Sequence, residues 1–306
     1  MIPTFFIAGA PRCGTSSLAA YLDVHPRVFM SKPKEPHHFG ADLEIRSRIA
    51  ERQAYLKLFE GAGDVQHAGE GSVLYMYSRS APAEILGLSP AARVVIMLRD
   101  PLEMVPSLHA HNLLLNYEDL TDLGQALEAQ ADRRAGRRVP ATCIPPLALQ
   151  YLHLARFSEP VHRYREAFGP DRVRCILLED LRREPERTYA EVLDFLDLPQ
   201  SPPPELKVHN RGQRWRSQRA ARLMLPAYAR AGGVASRVPT RLLRTSALWM
   251  VVGLFYPPLK LNLGPARPPR LSRELRSALR EELRDDVARL SDLLARDLST
   301  WLKADA

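Results

Sequence analysis

A short apolar segment that runs directly into a glycine-rich loop is the feature that most constrains how this chain folds. Residues 4–8 are TFFIA, which is typical of a buried strand, and residues 9–16 are GAPRCGTS. Apolar residues at helical spacing follow from Ser16 to Val24. The loop fits the pattern GxxxxGK[ST] at both glycines and at the final serine, with Thr15 in place of the lysine. A strand, then this loop, then the first turn of a helix predict a phosphate site built from backbone N–H groups.

Apolar strands and helical segments alternate along the chain. Residues 93–98 and 173–178 predict two more buried strands. Predicted helices cover residues 50–59, 82–86, 120–134, 147–168 and 188–196, and a last helix capped by Ser272 covers 272–302. Such alternation is typical of a parallel sheet with helices on both faces. We therefore expect an α/β fold, a P-loop-like three-layer α/β/α arrangement, with residues 1–306 forming a single domain.

Charge is distributed unevenly along the chain. Residues 1–209 contain 24 Lys or Arg and 27 Asp or Glu, whereas residues 210–306 contain 19 and 8. No acidic residue occurs between Leu206 and Ser272. This asymmetry predicts an anionic partner and a variable, Arg-rich helical insertion over residues 207–259.

The end of that insertion, residues 242–259, contains an apolar run around Trp249 and Phe255 and is preceded by many arginines. Basic and apolar side chains together suit a lid that admits a lipid or touches a membrane surface. A helical subdomain with an ordinary apolar core is the alternative. The run is too short to cross a bilayer, and the first residues lack a signal-peptide pattern. Since three cysteines cannot form a disulfide framework, we expect a cytoplasmic protein, with peripheral contact at the inner membrane face left open.

Several segments, taken in order, carry a family resemblance. They are FFIAGAPRCGTSSLAAYLDVHP, KEPHHF, VVIMLRDPLEMVPSL and, near the C-terminus, LNLGPARPP and ARDLSTW. Together they resemble the sulfotransferases that use 3′-phosphoadenosine 5′-phosphosulfate (PAPS), in particular the bacterial branch related to heparan sulfate and carbohydrate sulfotransferases. The resemblance implies an enzyme of class EC 2.8.2 that transfers a sulfuryl group from PAPS to a hydroxyl, or to an amine. A small molecule, a carbohydrate and a lipid all stay open as the acceptor.

The resemblance also implies the site residues. Arg12 stands where the family has its catalytic lysine, Glu35 is the expected general base, and His37 is expected in the active site. Burial near an anionic donor is expected to raise the pKa of Glu35 and so improve it as a base. The expected nucleotide contacts are Arg12, Cys13, Gly14, Thr15, Ser16, Ser17, Arg99, Ser107, Gly264 and Arg267. The expected acceptor contacts are Glu70, Ser72, His38 and His111.

Two other functions compete with this one. A nucleotide kinase or NTPase would use a similar loop, but the lysine after Gly14 is missing and Asp100 has no clear role in binding magnesium. A non-catalytic basic protein that binds nucleotide or nucleic acid would explain the arginines over residues 211–244. That segment lacks a recognised DNA or RNA motif, so we expect no nucleic-acid partner. Histidine and cysteine spacing does not fit a metal site, so no metal is expected.

Overall fold

A five-stranded parallel sheet forms the centre of the fold. The structure is a computed structural model that describes residues 1–203, 213–221, 260–265 and 271–303. In chain order the strands are β1 (Phe5–Gly9), β2 (Val28–Met30), β3 (His67–Gly71), β4 (Arg93–Leu98) and β5 (Val173–Leu177). Their order across the sheet is β2-β3-β1-β4-β5, and every neighbouring pair is parallel. The predicted α/β class with a central parallel sheet is confirmed.

Helices flank this sheet and connect its strands, as parallel pairing requires. They are α1 (Thr15–Leu22), α2 (Arg52–Lys57), α3 (Ala81–Leu88), α4 (Pro101–Leu114), α5 (Leu123–Glu128), α6 (Gln130–Arg134), α7 (Tyr151–Leu154), α8 (Ser158–Phe168), α9 (Leu178–Arg183), α10 (Pro185–Phe195) and α11 (Arg273–Leu294). Ser272 caps α11 as expected, since its Oγ accepts a hydrogen bond from the backbone N–H of Leu275 at 3.1 Å.

β1 lies at the middle of the sheet and all five of its residues are buried. Its neighbour β3 contains Gly69, where a Cβ would lie 2.2 Å from the ring of Phe5, so only glycine lets that ring pack. Because β1 has β3 on one side and β4 on the other, the loops after these three strands meet at one edge of the sheet. Edges of this kind, where the strand order reverses, are where α/β proteins bind ligands.

The strands β2 and β3 are absent from the sequence prediction. β2 has only three residues, and β3 (HAGEG) has two glycines and lacks β-branched residues. Local propensity therefore gives no strand signal in β3, and β2 is too short for its apolar residues to indicate a strand. Their extended form comes from pairing in the sheet, with β3 held between β1 and β2.

The predicted helix over residues 147–168 is wrong as a single element, because it divides into α7 and α8. Asp286 of α11 accepts hydrogen bonds from the backbone N–H of Phe157 at 2.7 Å and from the Ser158 hydroxyl at 2.5 Å. A side chain from a distant helix thus satisfies the start of α8 where a continuous helix would use its own carbonyls. The predicted helix over residues 120–134 likewise divides into α5 and α6. The last predicted helix ends at Leu294, since Ala295 takes a left-handed conformation with φ of 48°.

A two-stranded antiparallel ribbon, β6 (Gln213–Trp215) with β7 (Leu263–Pro265), packs on α4. The indole Nε1 of Trp215 donates to the carbonyl of Leu114, at the end of α4, at 2.7 Å. Most of the expected insertion over residues 207–259, including all of 242–259, lies outside the described residues. Within the described ranges, each helix is too short or too polar to cross a bilayer.

Candidate active site

The loop between β1 and α1 keeps its shape because both of its glycines are irreplaceable. Gly9 has φ of 147°, and a Cβ there would lie 2.4 Å from the carbonyl oxygen of Met97 in β4. Gly14 has φ of 91°, and a Cβ there would lie 2.7 Å from the side chain of Leu178. The chain therefore turns tightly and presents the N-terminus of α1 at the edge of the sheet. The helix dipole favours an anion at this end, and the first turn contains no acidic residue that would repel one.

Arg12, Arg99 and Ser107 meet beside this loop, as the sequence predicted. The Nε of Arg12 donates to the Oγ of Ser107 at 3.3 Å, and Nη1 of Arg99 donates to the carbonyl of Arg12 at 3.4 Å. Nη2 of Arg99 pairs with Glu103 at 2.7 Å, one turn further along α4. The Nε of Arg99 is buried and has no hydrogen-bond partner among the described residues. Burial and the charge of Arg99 lower the pKa of Arg12, which shows how closely the two cations lie.

Lys34 adds a third cation that sequence reasoning did not place in the site. Its Nζ donates to the Oγ1 of Thr15 at 3.5 Å and to the Oε1 of Glu35 at 2.7 Å. The side chain thus spans from the first turn of α1 to the expected base. The one available signal was its position directly before Glu35 in KEPHHF.

Glu35 lies on a strained turn and is held by two basic side chains. Its φ is 60°, and its backbone N–H donates to the carbonyl of Gly71 at 3.2 Å. Besides its contact with Lys34, its Oε2 lies 3.4 Å from the Nε2 of His37. Burial alone would raise the pKa of Glu35, but the hydrogen bonds to His37 and Lys34 outweigh it and hold the pKa at about 2. The expectation of a raised pKa is therefore wrong, because these neighbouring bases stabilise the carboxylate.

Beneath His37 lies a buried cluster around Glu70. The backbone N–H of His37 donates to the Oγ of Ser72 at 3.2 Å, and Ser72 in turn donates to Glu70 at 2.7 Å. The hydroxyls of Tyr55 and Tyr75 donate to Glu70 at 3.0 and 2.8 Å. Burial raises the pKa of Glu70. Glu70 and Ser72 are both completely buried, so the expectation that they contact the acceptor is wrong; they support the turn that carries His37.

The two remaining acceptor candidates have different surroundings. His38 stacks on Tyr55 with ring centroids 4.1 Å apart, and its Nδ1 donates to the carbonyl of Ile49 at 2.7 Å. Its ring is therefore used in packing, which corrects the expectation of an acceptor contact. His111 on α4 lies close enough to Arg12 and Glu35 to sense both charges. Burial and the charge of Arg12 lower its pKa to about 4, against the opposing charge of Glu35.

Tyr117 is a further neighbour of the base that sequence reasoning missed. Burial raises its pKa, and the charge of Glu35 contributes to that shift. It lies beyond the end of α4, 82 residues from Glu35 in the chain, so no local pattern could connect the two.

The other residues predicted to contact the nucleotide differ in burial and in whether they lie within the described ranges. Cys13 is completely buried and its Sγ donates to the carbonyl of Pro11 at 3.5 Å, so only its backbone is available to a ligand. Ser16 and Ser17 are half-buried in the first turn of α1. Gly264 lies in β7 opposite Arg214, and its role stays a prediction. Arg267 lies outside the described residues. Across the described ranges, no three His, Cys, Asp or Glu side chains are grouped to hold a metal ion.

A family model described as "Sulfotransferase domain" matches residues 3–211 of this chain. The match covers β1 to β5 and both segments that carry Arg12 and Glu35.

Curated relatives with similar sequences include enzymes named for carbohydrate sulfation. The bifunctional heparan sulfate N-deacetylase/N-sulfotransferase 1 of Caenorhabditis elegans is 23% identical over 208 residues, which is 66% of this chain and 23% of that protein. Carbohydrate sulfotransferase 15 of Mus musculus is 30% identical over 247 residues, which is 64% of this chain and 44% of that protein. The chain therefore spans less than half the length of each of these relatives.

Among solved structures, a sulfotransferase from Alicyclobacillus acidocaldarius resembles the chain over its whole length. The TM-score is 0.72 at 23% sequence identity, with 99% of this chain and 100% of the other covered. This likeness shows that the two chains share a fold.

Proposed function

Since the chain belongs to the sulfotransferase domain family, we propose that it transfers a sulfuryl group from PAPS to an acceptor hydroxyl, or to an amine. One observation carries the proposal: a glycine-built anion site, three cations and an ionised carboxylate lie together at the edge of the sheet. The site holds one carboxylate for the proton and positive charge for a donor rich in phosphate.

The residues of the site fit a nucleotide with two separate phosphate groups. Gly9 and Gly14 let the loop pass close to Met97 and Leu178 and turn into the N-terminus of α1, and backbone N–H groups there suit the 5′ end of the donor. The buried and unpartnered Nε of Arg99 offers a donor to a second phosphate, with Ser107 beside it. Arg12, Thr15, Ser16 and Ser17 complete the proposed nucleotide contacts.

Glu35 is proposed as the general base. PAPS supplies a sulfuryl group on its 5′-phosphate oxygen, and the sulfur–oxygen bond to the leaving phosphate breaks as the bond to the acceptor oxygen forms. The acceptor's proton goes to Glu35, which is ionised at neutral pH. Because a carboxylate with a pKa of about 2 is a weak base, Glu35 takes the proton only as bond formation makes that proton more acidic. His37 orients the carboxylate through the contact to Oε2.

A carbohydrate or a small molecule is the proposed class of acceptor. The names of the curated relatives refer to heparan sulfate and to carbohydrate. The charge of Glu35 contributes to the pKa shifts of His111 and Tyr117, and both residues are proposed to border the acceptor. The kinase and nucleic-acid alternatives lack a comparable observation, because the family match covers the loop on which a kinase would depend.

The test is calorimetric binding of 3′-phosphoadenosine 5′-phosphate (PAP), the nucleotide product, compared with ATP plus magnesium. We expect PAP to bind and Arg99→Ala to weaken that binding by about 1.5–3 kcal/mol, the scale of a lost charged hydrogen bond. Arg183→Ala is the matched control, because Arg183 is a 69% exposed arginine on α9 that pairs with Asp180. Absence of PAP binding by the wild type, or tighter binding of ATP with magnesium, would contradict the proposal.

A further inference from the structure

The glycine-rich loop lacks the lysine that its pattern calls for, and a lysine from another part of the chain lies at the same loop. Thr15 occupies the sequence position of that lysine, and Lys34 donates to the Thr15 hydroxyl at 3.5 Å. The two residues are 19 positions apart and lie on different elements. An ammonium group is therefore present at the first turn of α1, although the loop itself does not carry it.

The side chain of Lys34 passes directly over Gly71 at the end of β3. A Cβ at Gly71 would lie 3.6 Å from the Cε of Lys34 and 3.7 Å from the Cβ of Ile7. A longer side chain at this position would compete with the lysine stem for the same space. The lysine stem thus packs on the end of β3 on its way to the loop after β1.

Arg12 is the cation that the loop itself carries, and its hydrogen-bond partners differ from those of Lys34. Its Nε donates to Ser107 on α4, and its carbonyl accepts from Arg99. Lys34 lies instead between Thr15 and Glu35, so one ammonium group contacts both the anion cradle and the proposed base. Its side chain is 30% exposed, which leaves the ammonium accessible to a ligand. The two cations therefore have different hydrogen-bond partners.

We infer that Lys34 binds the 5′-phosphoryl end of the donor and supplies a positive charge there in addition to that of Arg12. This inference rests on the proposed function. When the sulfur–oxygen bond to the leaving phosphate breaks, the electron pair stays on the leaving oxygen, and Lys34 donates a hydrogen bond to it without losing a proton. The acceptor's proton goes to Glu35, so charge and protons balance. A flexible ammonium suits this contact, because it presents its donors from a single point, unlike the planar guanidinium of Arg12.

The experiment compares two ligands that differ only in the 5′-phosphate: PAP and adenosine 3′-phosphate. Calorimetry on the full chain measures both ligands with wild type, Lys34→Met and Lys32→Met. We expect Lys34→Met to weaken PAP binding about 10- to 100-fold, the loss of one charged hydrogen bond, and to leave adenosine 3′-phosphate binding unchanged. Lys32→Met is the matched control: Lys32 is 79% exposed, pairs with Asp23 at 3.1 Å, and should affect neither ligand.

Each outcome separates the inference from the proposed function. If wild type binds PAP and Lys34→Met binds it equally well, the inference is overturned while the proposed function stands. Equal losses for both ligands would also overturn it, since Lys34 would then act through the general shape of the site. If wild type does not bind PAP, the proposed function fails and takes the inference with it. If thermal unfolding shows that Lys34→Met does not fold, Lys34→Gln takes its place and is measured with the same two ligands.

Discussion

Two adjoining segments each place a glutamate at the site, and the two carboxylates have opposite surroundings. The segment 34–37 carries Glu35, and the segment 70–72 carries Glu70. They are joined by hydrogen bonds from the backbone N–H of Glu35 to the carbonyl of Gly71 and from the backbone N–H of His37 to the Ser72 hydroxyl, both at 3.2 Å. The Glu35 side chain is 37% exposed, whereas Glu70 is completely buried.

The difference lies in which groups surround each carboxylate. Lys34 and His37 contact Glu35, and their hydrogen bonds hold its pKa at about 2 despite burial. Glu70 receives hydrogen bonds from three hydroxyls, and these do not offset the effect of burial, so its pKa is raised. Basic partners lower the pKa of a carboxylate, whereas the neutral hydroxyls around Glu70 offset only part of the effect of burial on its pKa. One segment therefore provides a reactive group, and the other provides the support that positions it.

The largest expected effect is the loss of turnover in Glu35→Gln. Removing a general base costs about 100- to 10,000-fold in rate, and the amide keeps the size of the side chain. The measurement is release of PAP from PAPS with an acceptor identified by screening alcohols and sugars. PAP affinity should change far less than turnover, because Glu35 is proposed to contact the acceptor and reaches the nucleotide only through Lys34.

Glu70→Gln is the control that could break the comparison. It makes the same Glu-to-Gln change in the buried partner segment and should retain much more turnover than Glu35→Gln. If the two variants lost turnover equally, the assignment of one reactive and one supporting carboxylate would be wrong.

The parts of the site that lie close together in sequence could be predicted from it. Gly9, Arg12 and Gly14 belong to one loop. The strand before it and the helix after it lie within the first 24 residues of the chain. Arg99 and Ser107 lie on one strand end and the following helix, so a resemblance over a short segment places both. The strands β1, β4 and β5 were found for the same reason, since their apolar runs are local signals.

The parts that depend on distant contacts could not be predicted. The contact of Lys34 with Thr15 and the approach of His111 to Glu35 require the folded sheet edge. Glu70 was expected at the acceptor because the family resemblance places its segment along the acceptor site. Only the folded structure shows that Tyr55 and Tyr75 enclose it. Burial of a charged residue is a tertiary property, and sequence pattern favours the exposed alternative.

The next largest effect is expected on stability, from Glu70→Ala. This change leaves three hydroxyls around an empty buried position, and we expect the free energy of unfolding to fall by about 2–4 kcal/mol. Urea unfolding measures the loss. Tyr55→Phe, which removes one of the three donors and leaves the carboxylate in place, should cost less. A Glu70→Ala variant as stable as wild type would show that the cluster does not support the site.

The smallest expected effect concerns how stability depends on pH. We compare the free energy of unfolding of the wild type with that of Glu35→Gln and that of Glu70→Gln, and we expect the two differences to change with pH in opposite directions. Glu35 has a folded pKa of about 2 against an ordinary value of 4.5, so it stabilises the fold above about pH 4.5 and loses that contribution as the pH falls towards 2. Glu70 has a raised folded pKa, so its contribution is complete below about pH 4.5 and is lost as the pH rises through the folded value.

The advantage of wild type over Glu35→Gln should therefore shrink on acidification, whereas its advantage over Glu70→Gln should shrink as the pH rises. Each slope is limited to about 1.4 kcal/mol per pH unit, since one proton is involved. Urea midpoints from acid to neutral pH measure both differences on the same protein preparations. Parallel slopes for the two variants would mean that the carboxylates share one environment. Opposite slopes would show that basic partners and hydroxyl partners separate the two glutamates, although their segments are hydrogen-bonded to each other.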